Sequence, residues 1–147
     1  PLDEADPSKG RFEVVIAADS LRDQQPALSD GDRAKVDAQA AGDEVLDALR
    51  YQEIRFVPGD VAAGRLTFGE DGGVDGDLAG TLALHGHERP VTVPVHATRD
   101  GDRWHARGSI RLKQSDFGIR PYSGFLGVVA VRDEIRVDYD LVLDPAP

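Results

Sequence analysis

Trp104-His105-Ala106-Arg107-Gly108-Ser109-Ile110-Arg111-Leu112-Lys113 alternates without a break: Trp104, Ala106, Gly108, Ile110 and Leu112 face one way, and the polar residues between them face the other. A period of two over ten residues is that of a β-strand with one dry and one wet face. Working outward, the pattern recurs from Glu134 to Leu143, where Ile135, Val137, Tyr139, Leu141 and Leu143 share a side. Leu78, Gly80, Leu82 and Leu84 form another row, and Val91, Val93, Val95 and Ala97 a fourth; Gly86 to Pro90 reads as the turn between them. Phe12, Val14 and Ile16 open the chain's first strand. Shorter strands are expected from Ile54 to Val57, ending at Pro58 and Gly59, and from Gly64 to Gly69. Seven strands joined largely by hairpin-length turns predict an all-β, mainly antiparallel fold, either a barrel or a sandwich.

One segment breaks the rhythm. Between Ser29 and Arg50, Ala34, Ala38, Ala41, Val45 and Leu49 recur at spacings of three and four, with Leu46 beside them, which predicts helix. Ser29 with Asp32 suits an N-cap, and Gly42-Asp43 predicts a break followed by a second short helix through Leu49. A short helical insertion between early strands is therefore expected.

The chain has 147 residues, enough for one domain, 1–147. Its 27 acidic against 17 basic residues give a net charge of -10, which repels nucleic acid and anionic headgroups. No nucleic-acid partner is expected. The absence of cysteine excludes disulfides, thiolate nucleophiles and Cys-ligated metals. No apolar run approaches the roughly 18 residues of a spanning helix, so no integral membrane segment is expected. The chain starts at Pro1 without methionine, which suggests that something upstream was removed. The compartment stays open between cytoplasmic and, if a signal peptide was cleaved, periplasmic or secreted.

Candidate chemical motifs have plainer readings. His85 and His87 lie two apart but flank a turn glycine, with no third ligand at a recognisable spacing; His96 and His105 fall on wet faces, so no metal site is expected. Asp71, Asp75, Gly76 and Asp77 imitate a calcium loop, yet Gly73 and Leu82 stand where it needs ligands, and a solvated hairpin tip explains them. Nucleophile-elbow, phosphate-loop, dinucleotide and zinc-protease signatures are all missing. No catalytic residues and no cofactor are assigned. What remains are the apolar rows: a small barrel either fills its interior or leaves a cavity for one apolar ligand. Ten residues of strand extend about 33 Å at roughly 3.3 Å each, and the small residues Gly80, Ala97, Ala106 and Gly108 leave space in the rows. The rows alone leave both readings open.

Three spaced stretches resemble the YceI-like family. These are Leu84-His85-Gly86-His87-Glu88-Arg89-Pro90 with Val91 to Val95; Ser115-Asp116-Phe117-Gly118-Ile119-Arg120-Pro121-Tyr122 with Gly127 and Asp133-Glu134-Ile135; and Val45 to Ala48 with Tyr51 to Phe56. The resemblance implies a lipocalin-like β-barrel around an elongated apolar tunnel that binds polyisoprenoid lipids or isoprenoid quinones. It also implies that the family's N-terminal strand region, which precedes the segment like Phe12 to Ala18, is lacking here. An open sheet edge would then invite a homodimer. His87 departs from the smaller or apolar residue more usual in the family.

The expected activity is binding of a hydrophobic small molecule, with no enzyme chemistry. The lining would come from Phe12, Val14 and Ile16; Leu46 and Leu49 of the helical segment; Ile54 and Phe56; and Leu82 and Leu84. Val93, Val95, Trp104, Ile110, Ile135, Val137 and Tyr139 would continue it, with Phe117, Ile119, Tyr122 and Phe125 at the mouth and Arg120 near a polar head. Two alternatives stand beside this: a lipid- or quinone-modifying enzyme using His85, Asp116 or Tyr122, and a structural or interaction module with a filled core.

Overall fold

A computed structural model describes residues 12–59, 65–124 and 129–144. Its strands are β1 (Val14–Ala17), β2 (Glu53–Pro58), β3 (Arg65–Phe68), β4 (Val74–Leu84), β5 (His87–Asp100), β6 (Arg103–Lys113), β7 (Ser123–Gly124), β8 (Val129–Ala130) and β9 (Glu134–Leu143). One α-helix, α1 (Asp30–Ala41), lies between β1 and β2. The seven expected strands form a single sheet in the order β1-β2-β4-β5-β6-β9, and β3 also pairs with β4. Every pairing is antiparallel, and β7 and β8 form a separate two-stranded ribbon. β2 pairs with the Gly80 to Ala83 half of β4 and β3 with its Val74 to Asp77 half, so the two lie end to end along one side of β4. The sheet curls into a half-barrel. Among the described residues β1 and β9 are its outer strands, with no pairing between them.

Register carries the apolar rows onto one face. Val14 sits opposite Phe56, Phe56 opposite Leu82, Leu78 opposite Val93, Ala97 opposite Ala106, and Ile110 opposite Val137. Because side chains alternate with a period of two, every one of these points to the concave side. Two packed clusters occupy that side. Leu46, Leu82, Leu84, Phe117 and Ile119 are buried at one end; Val74, Ala97 and Ala106 are buried at the other, with Leu66, Val95 and Trp104 against them.

Three local expectations are corrected. The β4–β5 turn is only His85-Gly86, with φ of 51° and 72°, not Gly86 to Pro90. Two consecutive positive φ values make the tight hairpin whose twist matches its strands, so β5 starts at His87 and takes in Pro90. The second short helix is absent. Asp47 adopts φ 45°, which helical geometry does not allow, and the chain closes turns through Asp47 N–H to Gly42 O at 2.8 Å and Ala48 N–H to Ala41 O at 3.0 Å.

The third correction concerns α1. Its Ser29 cap is present, accepting from Asp32 N–H at 3.2 Å, but no residue of the helix is buried. The alanine stripe does not dock it. Arg33 Nη1 donates to Asp23 O at 2.7 Å and Asp37 Oδ1 accepts from Asp23 N–H at 2.7 Å, so polar bonds tie the helix to the preceding loop.

Candidate functional site

The candidate site is the middle of the concave face, between the two packed ends. Val14, Val93, Ile110, Val137 and Tyr139 all face it and are half-buried, whereas Leu46, Leu82 and Leu84 are closed off in the end cluster. Ile54 and Phe56 pack onto that same cluster, and Val95 and Trp104 onto the other one. Phe12, Ile16 and Ile135 are half-buried as well. The structure thus brings most of the expected lining residues onto one face. Phe125 lies outside the described residues.

Leu49 is not among them. With the helix broken at Asp47, Leu46 turns inward at 7% exposure while Leu49 stands 92% exposed. It borders a hollow of about 420 Å³ with Val15, Ala17, Ala48 and Glu53, on the opposite side of β1 and β2 from Val14 and Ile16. The space expected at two glycines is also taken. The Phe56 ring covers Gly80, and the Tyr139 ring crosses Gly108, so a side chain at either position would collide with an aromatic one.

Phe117 and Ile119 do not guard a mouth; they are 1% and 3% exposed and plug the end of the half-barrel. The one-turn 3-10 segment Gln114–Phe117 carries them inward, and Gly118 ends it with φ 68°. Gln114, itself buried, donates through Nε2 to Arg132 O at 2.9 Å, and the ring nitrogen Nδ1 of His85 lies 3.1 Å from Phe117 O. The His85 ring meets Tyr51 edge-on at 4.7 Å and stacks with His87 at 6.2 Å. His87 in turn sits over Gly118. The three stretches that carry the family resemblance therefore converge on this plug, which gives them a structural role. Tyr122 is half-buried, while Asp116 and Arg120 are exposed.

Asp133 anchors the same plug. Its carboxylate accepts from Ser115 N–H at 2.8 Å and Ser115 Oγ–H at 2.6 Å. Those bonds, the hydroxyl's first, hold its carboxyl below the usual carboxylate range. A folded pKa below the unfolded value of about 3.9 stabilises the fold above that pH, and the stabilisation is lost as pH falls through the folded value. Asp133→Asn is accordingly expected to flatten the decline of Tm below about pH 4, seen in thermal melts across an acid series. An acid limb as steep as that of the parent protein would show that Asp133 is not a source of the acid sensitivity.

The wet face is laced with polar contacts. His96 hydrogen-bonds with Asp75 and His105 with Asp140, while Arg103 forms an ion pair with Asp144 at 2.8 Å and Arg111 with Glu134 at 3.0 Å. In the hairpin tip resembling a calcium loop, Asp71 instead accepts from Gly73 N–H at 3.0 Å. Among the described residues no group of three or more His, Asp or Glu is placed to hold a metal ion, and no helix is long and apolar enough to cross a membrane.

Comparison with known proteins agrees with this architecture. The YceI-like domain model matches residues 1–143. A UPF0312 protein of Shewanella denitrificans is 29% identical over 125 residues, covering 81% of this chain; the chain spans 58% of that relative's length. Among solved structures, Burkholderia cenocepacia BcnA superposes with a TM-score of 0.67 at 22% identity, covering 97% of this chain and 79% of that one. A polyisoprenoid binding domain from Saccharophagus degradans, implicated in plant cell wall breakdown, superposes with a TM-score of 0.60 at 18% identity, covering 92% and 78%. At these identities the structural likenesses speak for the fold.

Proposed function

The chain belongs to the YceI-like family, and from that premise we propose that it is a binding protein that sequesters an elongated isoprenoid lipid or isoprenoid quinone along the concave face of its sheet. The observation that carries this reading is the half-buried state of Val93, Ile110 and Val137 in the apolar middle, beside a Leu78 that is itself buried. A filled core would close Val93, Ile110 and Val137 as tightly as Leu82 or Phe117, yet they keep part of their surface open. From Val74 in one packed end to Leu82 in the other, at about 3.3 Å per residue, the concave face runs about 26 Å, and the half-buried middle between them suits a thin segment of an extended tail.

Burial supplies the affinity. At about 25 cal/mol per Å², covering a few hundred Å² of apolar tail yields several kcal/mol, enough for micromolar binding after the costs of association. No proton transfer is needed. The enzyme alternative is not favoured, since the Nδ1 atom of His85 is occupied by Phe117 O and Asp116 is exposed.

The test uses Trp104, the single tryptophan, whose side chain faces the groove. Titrated with decylubiquinone, the protein is expected to lose Trp104 fluorescence with a micromolar midpoint, because a quinone accepts energy from a nearby indole. Solvent extraction of protein purified from cells should release an isoprenoid identifiable by mass spectrometry. Repeated recovery of empty protein together with no quenching would overturn the assignment.

A further inference from the structure

The ladder between β5 and β6 is much shorter than either strand. It runs only from Asp100 opposite Arg103 to His96 opposite Arg107. Beyond that point β5 continues for nine residues paired with β4 alone, and β6 for six paired with β9 alone. A seam without ladder pairing therefore runs along the wall of the half-barrel, and its far end is closed by the plug: Val91 of β5 and Leu112 of β6 both pack on the Phe117 cluster.

The sequence is adapted to this seam. Within a strand, successive backbone groups point to alternate sides, and a proline cannot donate to a neighbouring strand. Pro90 and Pro94, opposite Thr81 and Asp77, thus belong to the set whose backbone groups point away from β4 and into the seam, where they leave no orphan N–H. The Pro94 carbonyl still needs a donor, and it finds one two strands away. Tyr139 of β9 lays its ring across Gly108 of β6 and donates its hydroxyl to Pro94 O. Only glycine at 108 permits that crossing, because a Cβ there would strike both the ring and the Pro94 carbonyl. Burial pushes the Tyr139 phenol up from its ordinary pKa, so the hydroxyl stays a donor.

We propose that the seam between β5 and β6 is a side entrance to the concave groove, and that the Tyr139 to Pro94 hydrogen bond across Gly108 is its latch. The inference rests on the binding function above. Between latch and plug, Val93 and Ile110 border the opening on its groove side, so an extended apolar tail passing through meets apolar side chains as it reaches the groove.

Tyr139→Phe keeps the ring and removes the latch. Loss of one hydrogen bond of ordinary strength is expected to speed hydrogen exchange in peptides spanning 91–96 and 107–111 by about fivefold, with β4 unaffected. In stopped-flow quenching of Trp104 by decylubiquinone, association should accelerate by about fivefold and dissociation should accelerate with it, since a gate alters both directions alike. A residue that merely lined the groove would change dissociation alone.

A second variant works in the opposite sense. Pro94→Cys with Ser109→Cys places thiols at the next outward-facing positions beyond His96 and Arg107, in a chain with no other cysteine. Their oxidation should slow uptake and release at least tenfold, and reductant should restore both. Unchanged exchange in Tyr139→Phe would overturn the latch, even if the protein bound no quinone at all. Faster exchange with unchanged quinone kinetics would overturn the entrance and leave the binding function standing.

Discussion

Replacing Phe117 with alanine is expected to cost about 3–5 kcal/mol, the usual range for emptying a fully buried aromatic site. Phe117 is the largest side chain in the described structure with almost no exposure, at 1%. Its ring is surrounded by Leu46, Leu82, Leu84 and Ile119, which come from the turn after α1, the end of β4 and the segment after β6. None of these can follow the missing ring inward without breaking strand register or the hydrogen bonds of the plug, so the cavity persists. The total stability of a domain is about 5–15 kcal/mol, so this single loss removes a large share of it. At about 2–4 °C per kcal/mol for a chain of this size, the Tm should fall by roughly 10 °C. Val137→Ala on the half-buried middle leaves no closed cavity and should cost about 1 kcal/mol. Chemical denaturation of both variants measures the contrast; equal losses would mean that the plug is not the stabilising centre of the fold.

That centre was only partly legible in the sequence. The rows along β4, β5, β6 and β9 were readable because a strand's alternation is a property of the backbone, and every inward residue of Trp104 to Leu112 follows it. The plug was not, because nothing local in Ser115-Asp116-Phe117-Gly118-Ile119 says that Phe117 turns into the barrel. That orientation depends on Asp133 and His85, 16 to 32 residues away in sequence. Likewise Gly80 and Gly108 looked like vacancies because their occupants come from neighbouring strands, Phe56 diagonally and Tyr139 from the position directly opposite. Leu49 was misplaced for a local reason of a different kind. Hydrophobic spacing carried the helix onward, while a left-handed Asp47 leaves no trace in that spacing. Pro90 and Pro94 were visible from the start, but a proline in a strand becomes a clue to a seam only once its pairing partner is known.

The concave face carries the functional reading, and a charge placed in its middle should abolish binding. Ile110→Asp is the sharpest form of this test. Ile110 faces the groove opposite Val137, outside both packed clusters, and is half-buried. In the free protein an aspartate there keeps much of its water, so the fold should lose no more than about 1–2 kcal/mol. Against an apolar tail the same carboxylate would be stripped of solvent with no cation to meet it, a cost of several kcal/mol. At about 1.4 kcal/mol per factor of ten, the affinity for decylubiquinone should fall at least a hundredfold. Val142→Asp supplies the control, because Val142 is 60% exposed on the wet face of β9 and an added charge there touches no groove. Trp104 quenching reads both variants, with thermal melts to confirm that each is folded. Equal affinities in the two would place the quinone somewhere other than along this face, since no apolar chain lying beside Ile110 can ignore a carboxylate in its place.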